Sequence, residues 1–208
     1  MNIDHKVAQL LVSRVCHDLA GGVSAVTTGA ELLGEDDQAM DEEVLKVIAM
    51  SAHQSASRLA FFRVTFGLGG GENDTITTNE AKVLLHDFIE GGRLSLVWGA
   101  DNIRIGLMQA KLLLNLCLIG TESLPRGGVV RVDVSKVADR LGFAVSVRGD
   151  GAGLRPGVDN AFSVDADLEL LNARTVHAHF AAVLAQTLGA EMEIQSEEEG
   201  EIRLAALM

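Results

Sequence analysis

Tyrosine is absent from this chain of 208 residues, tryptophan occurs once and phenylalanine seven times. So sparse an aromatic complement argues against a platform for stacking nucleic-acid bases. Basic residues are also in deficit, with 17 Lys and Arg against 29 Asp and Glu and a formal net charge of −12. Neutralising phosphates or an anionic lipid surface needs the opposite sign, so neither nucleic acid nor membrane is expected as a partner. Cysteine is scarce too. Cys16 and Cys117 fit neither a disulfide framework nor a zinc spacing and read as buried thiols of a reducing, cytoplasmic compartment. No stretch reaches the ~18–20 uninterrupted apolar residues of a spanning helix. The run Met1-Asn2-Ile3-Asp4-His5-Lys6 is charged both ways and unlike a secretory signal. The remainder, 48% hydrophobic and 22% charged, is the composition of a globular protein of one domain or two small ones.

Two regimes follow along the chain. Val7, Leu11, Val15, Leu19, Val23, Val26, Ala30 and Leu33 recur at helical spacing, with Asn2 or Asp4 able to cap the start. Gly34-Glu35-Asp36-Asp37-Gln38 breaks the pattern, and Asp41-Glu42-Glu43 supplies a cap and dipole-matched acids for a second helix. That helix carries Ile48, Ala52, Ser55, Leu59, Phe62 and Phe66 in alternating steps of four and three. Residues 1–68 thus read as an antiparallel helical hairpin. It cannot enclose its own apolar seam, but two copies would close a four-helix bundle about a twofold axis. The alternative is that the hairpin packs on the rest of its own chain. The glycine-rich stretch from Gly67 to Asp74 reads as a linker.

Residues 75–208 are mixed. Helices are expected at about 79–89, 106–122 and 172–188. Strands are expected at 94–98, 129–134, 143–148, 191–195 and 202–206, with turns at Leu124-Pro125-Arg126-Gly127-Gly128 and Glu197-Glu198-Glu199-Gly200. The class is α+β: a helical hairpin followed by an α/β sandwich.

Among six histidines, His17 lies nearly opposite the seam of the first helix. Leu10, Ser13, Arg14, Ala20, Gly21, Ser24 and Thr28 surround it, mostly small or polar residues that leave room for another protein. Gly21 and Gly22 in mid-helix cost about 1 kcal/mol each against alanine, which close approach or a kink would offset. Asp18 could orient the ring, accept its proton or simply be solvated. A neutral imidazole is a competent phosphoryl carrier, splitting one transfer into two. An ordinary surface histidine is the alternative. His53 has no neighbouring acid in sequence, His177 and His179 face different ways on a helix, and His5 and His86 show no partner.

Ser13-Arg14-Val15-Cys16-His17-Asp18-Leu19 resembles the phospho-acceptor box of histidine kinases. With Thr28-Gly29-Ala30-Glu31-Leu32-Leu33 it resembles the ChpT-type bacterial histidine phosphotransferases. The resemblance spans nearly the whole chain and implies a degenerate Bergerat-type (GHKL) ATPase domain in the second half. Active kinases carry Asn-x-x-x-Asn, where this chain has Asn115 and then Ile119 in the place of the metal ligand. The adenine-binding Asp-x-Gly-x-Gly reads Gly149-Asp150-Gly151-Ala152-Gly153, and no Gly-x-Gly-Leu phosphate loop is recognisable before Asn172. Relatives often have Ser-Pro where Gly21 and Gly22 stand.

The expectation is therefore a dimeric phosphorelay protein, with His17 and Asp18 carrying the transfer and Arg14, Gly21 and Ser24 docking the partner. Those partners would be the receiver domain of a hybrid kinase and the receivers of response regulators. This chain would bind no cofactor or metal, magnesium belonging to the receiver, and no autonomous kinase activity is expected. An ATP-dependent histidine kinase with an unusual site, or a noncatalytic receiver-docking scaffold, are the competing readings.

Overall fold

Asp4 starts the first helix, its carboxylate accepting the Lys6 N–H at 2.8 Å, as an N-cap does. The structure, a computed structural model, describes residues 4–33, 38–67, 74–137, 139–197 and 200–208. The alternative cap Asn2, the break at 34–37, most of the glycine-rich stretch and part of the 197–200 turn lie outside those residues. Helix α1 spans His5–Leu32 and α2 spans Gln38–Thr65. Asp41 consequently sits inside the first turn of α2 rather than capping it, where its charge still suits the helix dipole.

Gly22 faces Ser51 and Ser55, and Gly29 faces Val44 and Ile48. The register is antiparallel, with two glycines drawing the helices together. A Cβ at Gly29 would lie 2.6 Å from Ile48 Cγ1. The pair Gly21-Gly22 therefore serves close approach at its second member within a continuous helix.

Threonines 75 and 77 bound a short strand β1, Thr75–Thr77, whose last residue caps α3, Thr78–Ile89, in a reciprocal box with Glu80. Strand β2, Leu94–Trp98, and a second short strand β3, Arg104–Gly106, precede α4, Leu107–Glu122. Strands β1 and β3 pair antiparallel. Three-residue strands are too short to show alternation, which is why the periodicity misses them. The hairpin β4, Gly128–Val137, and β5, Arg140–Arg148, leads to the short α5, Val158–Ala161. Then come α6, Val176–Leu188, and the strands β6, Glu191–Glu197, and β7, Glu201–Leu207. Helix α6 starts later than its pattern suggests. Asn172 turns its side chain onto the Arg174 N–H at 2.8 Å, a local bond that competes with helix.

The main sheet runs β2-β4-β5-β7-β6, with β2 parallel to β4 and the other pairs antiparallel. Val130, Val132, Val145, Val147, Ile202 and Leu204 point to one face and are buried, while Val129, Arg131 and Arg203 point away from it. On the buried face lies α4, apolar on all sides and enclosed between the sheet and α6.

The hairpin does not stand apart from this sandwich. Val7, Leu11, Phe61 and Phe62 belong to the same hydrophobic core as the sheet. Phe61 stacks on Phe88 of α3 with ring centroids 4.2 Å apart, and Phe66 meets Phe180 of α6 edge-on at 6.0 Å. This corrects the expected seam. Phe62 and Phe66 pack within their own chain, whereas Leu59 is 53% exposed and Ala52 is also exposed. Apolar residues cover most of the circumference of α2, so the helix has two apolar faces and only one is used inside the protomer. Leu45, Ala49, Ala52, Ala56 and Leu59 line the outer one at steps of four and three, all exposed.

Candidate functional site

His17 projects from the middle of α1 with 73% of its side chain exposed. Its Nδ1 lies 3.1 Å from Asp18 Oδ1. An ionised carboxylate only accepts, so this contact places the ring proton on Nδ1 and leaves Nε2 with its lone pair. Asp18 is itself held. Arg14 Nε donates to its Oδ2 at 2.8 Å across one helical turn, and Arg58 Nη1 from α2 donates to its backbone carbonyl at 3.0 Å.

Arg14, expected on the open docking face, is instead 5% exposed and reaches into the sheet domain. Its Nη2 donates to Glu122 Oε1 at the end of α4, and its Nη1 faces His177 Nδ1 at 3.4 Å and the Ala173 carbonyl at 3.5 Å. Burial opposes its charge, but the attraction and hydrogen bonds of Glu122 and Asp18 outweigh this and raise its pKa further. His177 is fully buried. That burial, with repulsion from Arg14 and Arg155, pushes its ring down to about 3, so it is neutral at ordinary pH.

Gly21 and Ser24 are exposed on the face of α1 that carries His17, and a Cβ at Gly21 would meet nothing within 4 Å among the described residues. Beside His17 opens a cleft of about 740 Å³ between the hairpin and the sheet domain. Arg58, Arg93, Arg155 and Arg174 line it, together with Glu90 and Gln54. The sequence singles out none of Arg58, Arg155, Glu122 and His177 for this site. Local patterning contains no signal for them, because they converge from α2, α4, α6 and a loop. Two other histidines also acquire partners: His53 Nε2 lies 3.3 Å from Glu90, which caps the end of α3, and His86 Nδ1 lies 3.2 Å from Asp87. His179 Nδ1 is spent on the Ser163 carbonyl at 2.8 Å.

The residues that resemble a kinase nucleotide site are largely engaged in structural work, although Asn115 Oδ1 is buried without a hydrogen-bond partner among the described residues. Asn115 Nδ2 donates to the Thr65 carbonyl at 3.3 Å and the Lys111 carbonyl at 2.8 Å, and Lys111 Nζ donates to the Gly67 carbonyl. Together they satisfy carbonyls left open at the C-terminal end of α2. Ile119 is buried at 2% exposure and presents no oxygen. At Gly149, where an aspartate would read adenine, a Cβ would overlap the Gly127 carbonyl. Gly149–Gly153 closes a turn through the Ala152 N–H to the Gly149 carbonyl at 3.1 Å. These residues do not fit magnesium-ATP in the kinase manner.

Comparison with known proteins shows the family. The family model of the histidine phosphotransferase C-terminal domain matches residues 78–200. The protein phosphotransferase ChpT of Brucella abortus (strain 2308) is 31% identical over 189 residues, covering 90% of this chain and 88% of that protein. A solved bacterial phosphotransferase superposes with a TM-score of 0.86 at 28% identity, covering 99% of this chain and 98% of that one. The mycobacterial sensor histidine kinase MprB shares only the fold, with a TM-score of 0.50 at 10% identity over 65% of this chain and 95% of its own. The chain belongs to the histidine phosphotransferase family.

Proposed function

We propose that His17 is the phosphoryl carrier of this histidine phosphotransferase, moving the group between receiver-domain aspartates in a two-component phosphorelay. The observation that carries the reading is the exposed imidazole whose Nδ1 is engaged by Asp18, leaving Nε2 open. Nε2 attacks the phosphorus of a receiver aspartyl phosphate. The P–O bond to the aspartate breaks, the carboxylate leaves with the electron pair, and an N–P bond forms. The ring, substituted at Nε2 and protonated at Nδ1, is then cationic, and Asp18 balances that charge 3.1 Å away. Attack by a second receiver aspartate reverses these events. Phosphoryl transfer passes through a loose, in-line transition state, so exposure and alignment are the main demands on this chain.

Gly21 and Ser24 leave room for the receiver backbone beside His17, and Arg58, Arg93 and Arg174, set among Asp87 and Glu90 in the adjacent cleft, can meet acidic or phosphate groups of the partner. Magnesium is supplied by the receiver. The commitment of Asn115 and Lys111 to α2, with Ile119 and Gly149 at the remaining positions, supports a chain without nucleotide or metal chemistry of its own. The outer apolar stripe of α2, with Val12 and Val23 exposed on α1, supports a homodimer through a four-helix bundle that leaves His17 facing outward. No helix among the described residues is long and apolar enough to cross a membrane, in keeping with a cytoplasmic site of action.

The test is transfer from phosphorylated receiver domains of the same genome to the protein and on to unphosphorylated ones. His17→Ala should abolish transfer while sparing helix content, and retained transfer would refute the assignment. Incubation with labelled ATP and magnesium, without a partner, should leave His17 unlabelled; label there would favour a kinase.

A further inference from the structure

Four side chains from α1, α4 and α6 form a chain of contacts beneath His17, on the side away from the open Nε2. Arg14 is at its centre. Its planar guanidinium spends Nε on Asp18, Nη2 on Glu122, and Nη1 on His177 and the Ala173 carbonyl. Glu122 Oε2 and His177 Nε2 are buried without a hydrogen-bond partner of normal length among the described residues, and they face each other at 3.5 Å. Arg155 Nε adds a longer contact to the same Glu122 oxygen at 3.7 Å.

The protons in this cluster follow from its chemistry. Arginine does not give up a proton, so His177 Nδ1 accepts from it. The neutral ring then carries its proton on Nε2, 3.5 Å from Glu122 Oε2. Anchoring both Nη atoms in the sheet domain fixes the plane of the guanidinium and hence the direction of its Nε–H. That direction sets one oxygen of Asp18, and the other oxygen holds His17 Nδ1.

Resting on His17 as the phosphoryl carrier, we propose that Glu122 and His177 are positioning residues for phosphoryl transfer. Through Arg14 and Asp18 they hold the imidazole with Nε2 outward, so the sheet domain takes part in the transfer step without a nucleotide. Glu122 also shares the buried cation with Asp18. Without its charge, the guanidinium is left with Asp18 as its sole carboxylate, draws both oxygens to itself, and takes Oδ1 from His17.

The whole protein with phosphoramidate as donor tests this without a receiver. His17 Nε2 attacks phosphorus, the P–N bond of the donor breaks, ammonia leaves and the N–P bond to His17 forms. Glu122→Gln should slow labelling of His17 at least fivefold and remove the preference for the Nδ1–H tautomer, read from the ring 15N shifts, with the circular dichroism unchanged. Arg14→Lys keeps the charge but cannot hold Asp18, Glu122 and His177 in one plane, and should behave alike should Glu122→Gln not fold. A folded variant with labelling within twofold of wild type and an unchanged tautomer overturns the proposal while leaving the carrier role intact. Wild type unlabelled at His17, under conditions that phosphorylate a receiver, overturns the carrier role and this inference with it.

Discussion

A Cβ on Gly22 would overlap Ser55 Oγ across the hairpin, whereas a Cβ on its neighbour Gly21 meets nothing within 4 Å among the described residues. Ser55 Oγ is already bound to the Ser51 carbonyl at 2.8 Å, so a large side chain at Gly22 must part the helices. Gly22→Leu should destabilise the protein by about 1–3 kcal/mol through overpacking. Gly21→Ala should stabilise it by up to about 1 kcal/mol through helix propensity. Denaturant unfolding of the two variants measures both. Gly21→Phe should keep the fold and slow receiver transfer, and an unchanged transfer rate would remove Gly21 from the contact surface.

Leu59 tests the proposed dimer apart from the protomer. It is 53% exposed within one chain, so Leu59→Glu should leave helix content unaltered. In a bundle of two hairpins the same change buries two carboxylates. At about 2 kcal/mol for each copy, the dimer dissociation constant should rise roughly a thousandfold. Light scattering at micromolar concentration should then find a monomer. A dimer mass that does not change would mean that the stripe on α2 is covered in another way or not at all.

His177 gives the protein an acid sensitivity of definite sign. Its ring is pushed from 6.5 to about 3 by burial, then by Arg14 and Arg155, with Glu122 facing the same ring from α4. Between those values the unfolded chain binds a proton that the folded chain refuses. Stability is therefore undiminished above about pH 6.5 and falls as the pH drops toward 3. From pH 7 to pH 5 the loss from this one group is of order 2 kcal/mol. His177→Gln should lose correspondingly less over the same interval in urea unfolding, and an identical loss in both proteins would show that the ring titrates normally.

The elements and the exposed histidine were legible in the residues because both are set by neighbours in sequence. Helical spacing marked α1 and α2, and alternation marked β2, β4, β5, β6 and β7. The wheel of α1 put His17 opposite the apolar stripe, which is where it projects at 73% exposure. What a one-dimensional pattern cannot express is which flank of a helix a distant element covers. Arg14 read as a surface cation until partners 108 and 163 residues further on enclosed it. The same folding turned Phe62 and Phe66 inward and left Leu59 outside. The chain by itself determined which histidine faces outward from the middle of α1. Only the packing of the sheet domain against α1 decided what stands behind that histidine, because burial and ion pairing between remote residues exist only once the chain has closed on itself.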